Sequence, residues 1–391
     1  MATNLPGMDP SDAKGPGSSA PEGLDLEAVA GWLAAYVPEA KLPIQAELIA
    51  GGRSNLTYRI DDSAGHSYAL RRPPLGHVLP TAHDMAREYR VITALGPTPV
   101  PVPRSLALCQ DDSVNGAPFY LMDYVDGLII RDEETCRRLM DTATRERAGW
   151  SLVETLASIH DVDIDAVGLG DFGRREGYIE RQLRRWITQY RGSVATVLEC
   201  PAEPVAGGAA DAEGASPTEV TDRAATTSPG DIVEEVHDRL ADAIMPEGPA
   251  TIVHGDFRLD NTVLAPDGSV RAVLDWEIST LGDPLADLGL LMVYWAEPGE
   301  EASLTGVSPT VLPGFPSRSA LVSRYESLTG RDVSGLAYYV AFGYWKLACI
   351  LQGVHARYAA GAAAGDRSSV EGFAQQVQRL AQAAASALDE L

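Results

Sequence analysis

Lysine is almost missing from this chain: of 31 basic residues only Lys14, Lys41 and Lys346 are lysine, and all the others are arginine. Cysteine is sparse as well. Cys109, Cys136, Cys200 and Cys349 stand far apart with no CxxC spacing, which speaks against a disulfide framework or a zinc site and fits a reducing cytoplasm. Residues 1–23 offer no apolar run after a basic start, so they do not read as a signal peptide. The most apolar long window, Leu336 to Val354, is interrupted by Lys346 and Gln352. A charge near the centre of a spanning helix is unfavourable by about 2.5–3.5 kcal/mol even on the gentler scale, so this window reads as a buried core helix. Basic charge is also outnumbered, 31 residues against 55 acidic ones, for a net charge of −24. That balance repels a phosphate backbone or an anionic membrane and argues against nucleic acid or membrane as the main partner.

With 391 residues and roughly 100–200 residues per domain, the chain predicts two or three domains, or one domain with two large lobes. The first 23 residues are rich in Pro, Gly, Ser and Asp and read as a disordered tail. From Leu24 the order predicted to residue 126 is helix, three strands (IQAELIA, LTYRID, SYALRR), helix, two strands (PVPRSLAL, PFYLMDYV), from apolar periods of 3.6 and 2. Thr81 and Asp84 form a capping-box-like start for the second helix. From Gly127 to residue 391 helices predominate, at about 145–161, 176–190 and 231–245 and again beyond 283. Residues 195–231, with seven acidic residues against Arg223 alone, read as a low-complexity insertion. No internal repeat of 20–50 residues is visible, so a solenoid or propeller is not supported.

The stretch TIVHGDFRLDNTVLAPDGSVRAVLDWE, residues 251–277, carries the chemistry. A short apolar strand delivers His254, Gly255 and Asp256 into a loop, Asn261 follows five residues later, and a hairpin through Pro266, Asp267 and Gly268 leads to Asp275. One loop therefore holds a carboxylate and an amide, and a neighbouring strand end holds a second carboxylate. Hard oxygen ligands of this kind suit Mg²⁺, which keeps several waters and borrows other ligands from substrate phosphates. Asp256 then remains free to meet a substrate hydroxyl. An isolated Asp in a loop is usually a turn former or a helix cap; here strand, loop, hairpin and second Asp occur together and in order.

HGDxxxxN followed by DWE resembles the catalytic region of the aminoglycoside phosphotransferase and choline kinase relatives of protein kinases. The resemblance spans about residues 40–360 and implies an α+β, protein kinase-like two-lobed fold. A small β-rich N-lobe (24–126) would carry the nucleotide-binding loop and hinge, and a larger helical C-lobe (127–391) the catalytic loop. It implies ATP and Mg²⁺, with Asp256 as catalytic base, Asn261 and Asp275 holding the metal, and Glu277 supporting a second ion. His254 would be structural, Arg258 would neutralise nearby negative charge, and Asp287 of the DPxxDL pattern would brace the loop. Gly51, Gly52, Ser54 and Asn55 would approach the nucleotide phosphates, although a Gly pair between strands is by itself a hairpin turn. Arg71 stands where such kinases carry a phosphate-binding lysine, with Glu88 as its ion-pair partner and Arg72 and Arg87 as exposed-face alternatives. Met122 would border the adenine pocket, and backbone groups of Asp123 and Val125 would bond the adenine edge.

GGRSNLTYRI, YALRRPPLG, LPTAHDMAREYRVI, VPVP and ERQLRRWITQYRG are particularly similar to the kinase-like domains fused to, or encoded with, acyl-CoA dehydrogenases. That resemblance implies a CoA-linked hydroxyl acceptor, a hydroxyacyl-CoA, and a functional link to an acyl-CoA dehydrogenase. Between Arg174 and Arg191 six arginines face two glutamates, a local +4 that suits CoA phosphates or, equally, a solvated helix face with salt bridges. An aminoglycoside or other small alcohol is the alternative acceptor. A nucleotide-binding pseudokinase is a further alternative, prompted by Arg71 in place of lysine. A protein kinase is disfavoured because no activation segment ending in APE follows the DWE.

Overall fold

A computed structural model describes residues 21–50, 55–75, 84–199, 229–300, 308–360 and 370–391. The chain divides into two compact units, one of Met1–Pro97 with Val102–Asp126, the other of Thr98–Pro101 with Gly127–Leu391.

In the first unit, helix α1 (Leu26–Tyr36) is followed by strands β1 (Ile44–Ala50), β2 (Leu56–Asp62) and β3 (Ser67–Arg72), helix α2 (Met85–Leu95), strand β4 (Ser105–Cys109), a one-turn helix α3 (Asp112–Asn115) and strand β5 (Phe119–Asp123). The strands form one antiparallel sheet in the order β1-β2-β3-β5-β4. Tyr58, Ile60, Tyr68, Leu70, Phe119 and Leu121 pack with Val29, Trp32 and Leu33 of α1, so alternate strand residues supply the core, as a period of two requires. α2 buries Met85, Glu88, Val91, Ile92 and Leu95, the i, i+3, i+4, i+7 stripe of an amphipathic helix. Its N-cap is Asp84, whose carboxylate accepts from the Arg87 amide at 3.0 Å; Thr81, the other half of the expected capping box, lies outside the described residues. α3 was not expected from sequence. Asp111 caps it and Gly116 ends it at φ +72°, so a capping residue before it and a glycine after it were enough to close a single helical turn.

The second unit contains α4 (Glu133–Leu139), α5 (Thr142–His160), α6 (Tyr178–Glu199), α7 (Pro229–Asp242), strands β6 (Thr251–Val253), β7 (Thr262–Leu264), β8 (Val270–Val273) and β9 (Thr280–Gly282), then α8 (Leu285–Tyr294), α9 (Arg318–Thr329), α10 (Leu336–Ala359) and α11 (Val370–Leu388). β6 pairs with β9 and β7 with β8, both antiparallel. α10, the apolar window noted in the sequence, packs against α6, α7, α8 and α11. Among the described residues no helix is long and apolar enough to cross a membrane. The expected insertion 195–231 needs correction at both ends: α6 runs on to Glu199 and α7 begins at Pro229. Ala195-Thr196-Val197-Leu198-Glu199 simply continues the preceding helix, since none of these residues breaks the hydrogen-bond ladder. Residues 200–228 lie outside the described set.

α8 is buried on nearly every side, and it meets α10 at Gly289, where a Cβ would lie 2.6 Å from the Tyr339 backbone carbon and oxygen. Helix propensity alone favours alanine over glycine by about 1 kcal/mol, but overpacking of this kind is unfavourable by about 1–3 kcal/mol. Gly289→Ala should therefore show a net destabilisation of up to about 2 kcal/mol in urea unfolding. A more stable variant would contradict the close helix contact.

Candidate active site

β6 and β9 hold the entrance of the loop that begins at His254. Its first two amides, those of His254 and Gly255, donate to the two oxygens of Asp287 at 2.6 and 2.8 Å. Asp287 lies in the first turn of α8 and is 1% exposed. Burial works against its charge, but the His160 hydrogen bond and the Gly255 amide help to outweigh it and hold the carboxyl below its ordinary range. His160 is itself buried, and burial holds its imidazole low. We read it as neutral, with Nε2 donating to Asp287 at 3.4 Å and Nδ1 accepting from the Tyr325 hydroxyl at 2.7 Å.

Gly255 turns the chain at φ +86°, and a Cβ there would lie 3.1 Å from the Ile278 side chain. His254 Nε2 donates to the Leu274 carbonyl at 2.9 Å, while its Nδ1 accepts from the Asp256 amide at 3.2 Å; these partners fix the tautomer. Its ring lies against Phe257 and Trp276. His254 thus ties the loop to the end of β8.

Asp256 has two distinct oxygens. Oδ1 accepts from the Tyr294 hydroxyl at 3.2 Å, and Oδ2 accepts from Asn261 Nδ2 at 2.9 Å, which also donates to the Asp256 carbonyl at 2.8 Å. Arg258 Nε stands 3.3 Å from Asp256 Oδ2 and 3.0 Å from Asp260 Oδ1, with its guanidinium over the Tyr294 ring. Burial disfavours the Arg258 charge, but Asp256, Tyr294, Asp260 and Asp275 more than restore it. Burial pushes the Tyr294 hydroxyl well up, and Asp256 adds to the push, so Tyr294 remains a donor.

The β7–β8 hairpin pairs Thr262 with Val273, and the Leu274 amide donates to the Asn261 carbonyl at 2.8 Å. Asn261 and Asp275 are therefore brought to one end of the same hairpin. With Asn261 Nδ2 engaged by Asp256, its Oδ1 is the atom left for a cation. Asp275 has φ +65°, the one non-glycine residue in the left-handed region among the described residues, a conformation Asp tolerates better than most and one associated with functional sites. Glu277 is half-buried in the turn before β9.

In the first unit Arg71 Nε meets Glu88 Oε2 at 3.0 Å, and the two side chains are 12% and 1% exposed. Arg72 is not the exposed-face alternative expected. It points to the opposite face of β3, where it is 6% exposed and donates to the Gly23 and Asn115 carbonyls, because successive strand residues face opposite ways. Arg87 is half-buried rather than exposed. Asn55 is buried at the start of β2, whereas Gly51, Gly52 and Ser54 lie outside the described residues. Met122 is buried in β5. The Asp123 amide is taken by the Arg104 carbonyl at 2.9 Å and its carboxylate by the Arg104 side chain. Val125 makes no hydrogen bond to a described residue.

The arginine-rich segment divides in two. Arg175, Arg184 and Arg191 pair with Asp165, Glu180 and Glu234, while Arg174, Arg181 and Arg185 make no ion pair among the described residues. Sequence reading missed a cleft of about 210 Å³ beside the loop, lined among others by Arg131, Arg258, Asp260, Tyr294, Ser308 and Thr310. Burial pushes the Asp260 carboxyl up, and Arg258 and Arg131 pull it back. It also missed Tyr294, 38 positions from Asp256, and Lys346, whose Nζ donates to the Gly255 carbonyl at 2.7 Å from 91 positions away. For Lys346 a signal existed: a lone lysine within the most apolar long window of the sequence.

The neutral, buried His160 gives the fold a pH dependence. An unfolded chain binds a proton at that side chain near pH 6.5, so below it the unfolded state holds more protons and stability falls on acidification. The urea midpoint should drop between about pH 7.5 and 5.5, and drop less in His160→Gln. Equal slopes in the two proteins would remove His160 as a source.

Comparison with known proteins agrees with this geometry. Residues 45–308 match the phosphotransferase enzyme family. Acyl-CoA dehydrogenase family member 10 of Mus musculus is 34% identical over 316 residues, 80% of this chain but 26% of that protein. The curated relatives are much longer proteins, of which this chain spans about two fifths or less. A crystal structure of a putative aminoglycoside phosphotransferase from Ralstonia eutropha is 31% identical, with a TM-score of 0.68 over 92% of this chain and 98% of that one. A spectinomycin phosphotransferase solved with ADP and spectinomycin shares the fold at 13% identity, with a TM-score of 0.56 over 94% of this chain and 99% of the other. The protein kinase-like chain belongs to the phosphotransferase enzyme family.

Proposed function

We propose that this phosphotransferase moves the γ-phosphoryl group of ATP, in the presence of Mg²⁺, to a hydroxyl of a small CoA-linked acceptor, a hydroxyacyl-CoA. The observation that carries the transfer chemistry is the Asp256 carboxylate, held from one side by Asn261 and from the other by Tyr294. Two donors fix the orientation of the carboxylate without enclosing it, and its side chain stays 26% exposed. Asp256 orients the acceptor hydroxyl and takes its proton. Asn261 Oδ1 and the Asp275 carboxylate are the hard oxygen donors that fit Mg²⁺, with Glu277 nearby for a second ion. The metal supplies charge neutralisation along the phosphates. Arg258 offsets negative charge around Asp256 and Asp260. Because the transferring group is metaphosphate-like, rate comes from positioning and charge rather than covalent chemistry.

For the nucleotide, a phosphate contact falls to Arg71, ion-paired with Glu88, and further contacts to Gly51, Gly52, Ser54 and Asn55. Arg supplies a planar fork where a lysine would supply a point charge. The Val125 backbone and the Asp123 carbonyl are the groups proposed for the adenine edge, beside Met122; the Asp123 amide is already engaged. A phosphotransferase of the same fold was solved with ADP and spectinomycin, which supports an adenine nucleotide as donor.

The acceptor class rests on the similarity to acyl-CoA dehydrogenase family members, which also suggests a functional link to an acyl-CoA dehydrogenase. The cleft beside Asp256 is smaller than the roughly 300–1,000 Å³ that houses a whole drug-sized ligand. Its mostly polar lining, with Arg131, Arg258, Asp260, Ser308 and Thr310, suits a small hydroxyl-bearing part of an acceptor. Two guanidiniums against one carboxylate also disfavour a polycationic aminoglycoside. Arg174, Arg181 and Arg185, which are free of ion pairs among the described residues, remain candidates for CoA phosphates.

Initial rates of Mg-ATP consumption against hydroxyacyl-CoAs, aminoglycosides, choline and homoserine test the reading. Turnover should appear with hydroxyacyl-CoAs, and Asp256→Asn should lower it by about 10²–10⁴-fold while the protein stays folded. ATP binding without turnover on any acceptor would favour a pseudokinase. Arg131→Ala should raise KM for the acceptor about tenfold and leave KM for ATP unchanged, in line with the loss of one charge-assisted contact. Equal effects on both constants would remove Arg131 from the acceptor side.

A further inference from the structure

Of the three lysines, Lys14 lies outside the described residues, Lys41 is exposed, and Lys346 is 4% exposed within α10. A buried ammonium is unfavourable unless something compensates it. Around Lys346 the charged groups are Asp256 from the loop and Asp287 from α8, which favour its charge, and Arg185 from α6, which opposes it. Nζ donates to the Gly255 carbonyl at 2.7 Å and lies 5.7 Å from the centre of the Trp186 ring. The chemistry of phosphoryl transfer gives this lysine no direct role.

Its partner atom suggests an indirect one. The Gly255 residue is gripped at both ends, since its amide donates to Asp287 at 2.8 Å and its carbonyl accepts from Lys346. The peptide that joins Gly255 to Asp256 is likewise held at both atoms, with its oxygen on Lys346 and its N–H on His254 Nδ1. Rotation about the Gly255 Cα–C bond is the motion that would swing the Gly255 carbonyl and the Asp256 Cα away from their places, because Gly255 at φ +86° has no Cβ to limit it. Asp287 alone controls only the preceding side of Gly255. An ammonium is well fitted to hold the other side, because a compact point donor reaches a single carbonyl through a packed core, whereas a guanidinium presents five donors that would need partners there. This accounts for a buried lysine at this position in a chain whose basic residues are nearly all arginine.

We propose that Lys346 is a positioning residue for phosphoryl transfer, clamping the Gly255 carbonyl so that the Asp256 carboxylate is presented to the acceptor hydroxyl. The catalytic part of this inference rests on Asp256 being the base; the clamp itself does not. A shift of about 1 Å at a reacting group can lower a rate by about 10²-fold, so the effect should fall on kcat rather than on nucleotide affinity.

The test compares full-length wild type with Lys346→Met, which keeps length and apolar packing but removes the donor, and with Lys346→Gln, which keeps an N–H donor without the charge. Three quantities are read: thermal midpoint, kcat with KM for ATP, and deuterium uptake by backbone amides of residues 254–257. Lys346→Met should stay folded, with KM for ATP within twofold, kcat lowered about 30- to 100-fold and faster uptake in the loop; Lys346→Gln should recover at least a third of the lost protection and part of kcat. Unchanged uptake and kcat within threefold in Lys346→Met would overturn the proposal. Equal loss of thermal midpoint, ATP affinity and kcat in both variants would also overturn it, because the lysine would then be a general core residue. If the wild type transfers phosphate to no acceptor, the assignment of Asp256 as base fails, and the uptake comparison still decides whether Lys346 holds the loop.

Discussion

A buried carboxylate holding two consecutive backbone amides is the interaction on which the second unit's site depends. Asp287 spans the His254 and Gly255 amides at 2.6 and 2.8 Å, and a buried, charged acceptor makes such bonds stronger than neutral ones. The arrangement is stable because the groups around the carboxylate are answered in turn: His160 supports it, Tyr325 fixes His160, and the helix turn that carries it is buried on nearly every side. Removing such an acceptor would strand two buried amides, each unfavourable by about 1–3 kcal/mol. The loop is therefore part of the helical core rather than a surface excursion, which is what a site with little covalent chemistry of its own requires.

Each neighbouring contact extends that rigidity toward Asp256. His254 joins the loop to the end of β8, the hairpin register carries Asn261 and Asp275 to one place, and the Asn261 amide closes back on Asp256. The left-handed Asp275 residue is the one non-glycine residue with positive φ among the described residues. Its neighbour Trp276 is buried, with its indole N–H on the Val273 carbonyl and its ring against His254. The indole anchors the strained turn, so the DWE triplet combines a polar function at Asp275 with a packing function at Trp276. In the first unit the Arg71–Glu88 pair follows the same logic, a nearly buried charge made tolerable by a partner on the adjacent helix.

The catalytic loop was legible in the sequence because its parts are contiguous: strand, turn, Asp256, Asn261 and Asp275 all fall within 27 residues, positions 251–277. The five strands of the first unit were legible as short apolar and β-branched runs bounded by turn residues, and the core helix α10 through its apolarity. Contacts from distant elements were not. Tyr294 and Lys346 reach the loop from 38 and 91 positions away, and a tyrosine or lysine inside an apolar helix has no local pattern that reveals its target. Arg72 was misplaced onto an exposed face because charge alone was weighed against the pleat, whose alternation with Arg71 already assigned it to the core side. The short helix α3 escaped because a single capped turn has no period to read.

If Asp256 directs an acceptor hydroxyl onto the γ-phosphorus of ATP, the oxygen of that hydroxyl must become the bridge of the new ester. A hydroxyacyl-CoA whose hydroxyl carries ¹⁸O, incubated with Mg-ATP and the protein, makes that oxygen visible by ³¹P nuclear magnetic resonance. The expected product is a phosphate monoester whose bridging oxygen is the labelled one, shown by its isotope shift, formed together with one equivalent of ADP. Release of inorganic phosphate without ester, or an ester whose bridging oxygen is unlabelled, would contradict the role given to Asp256.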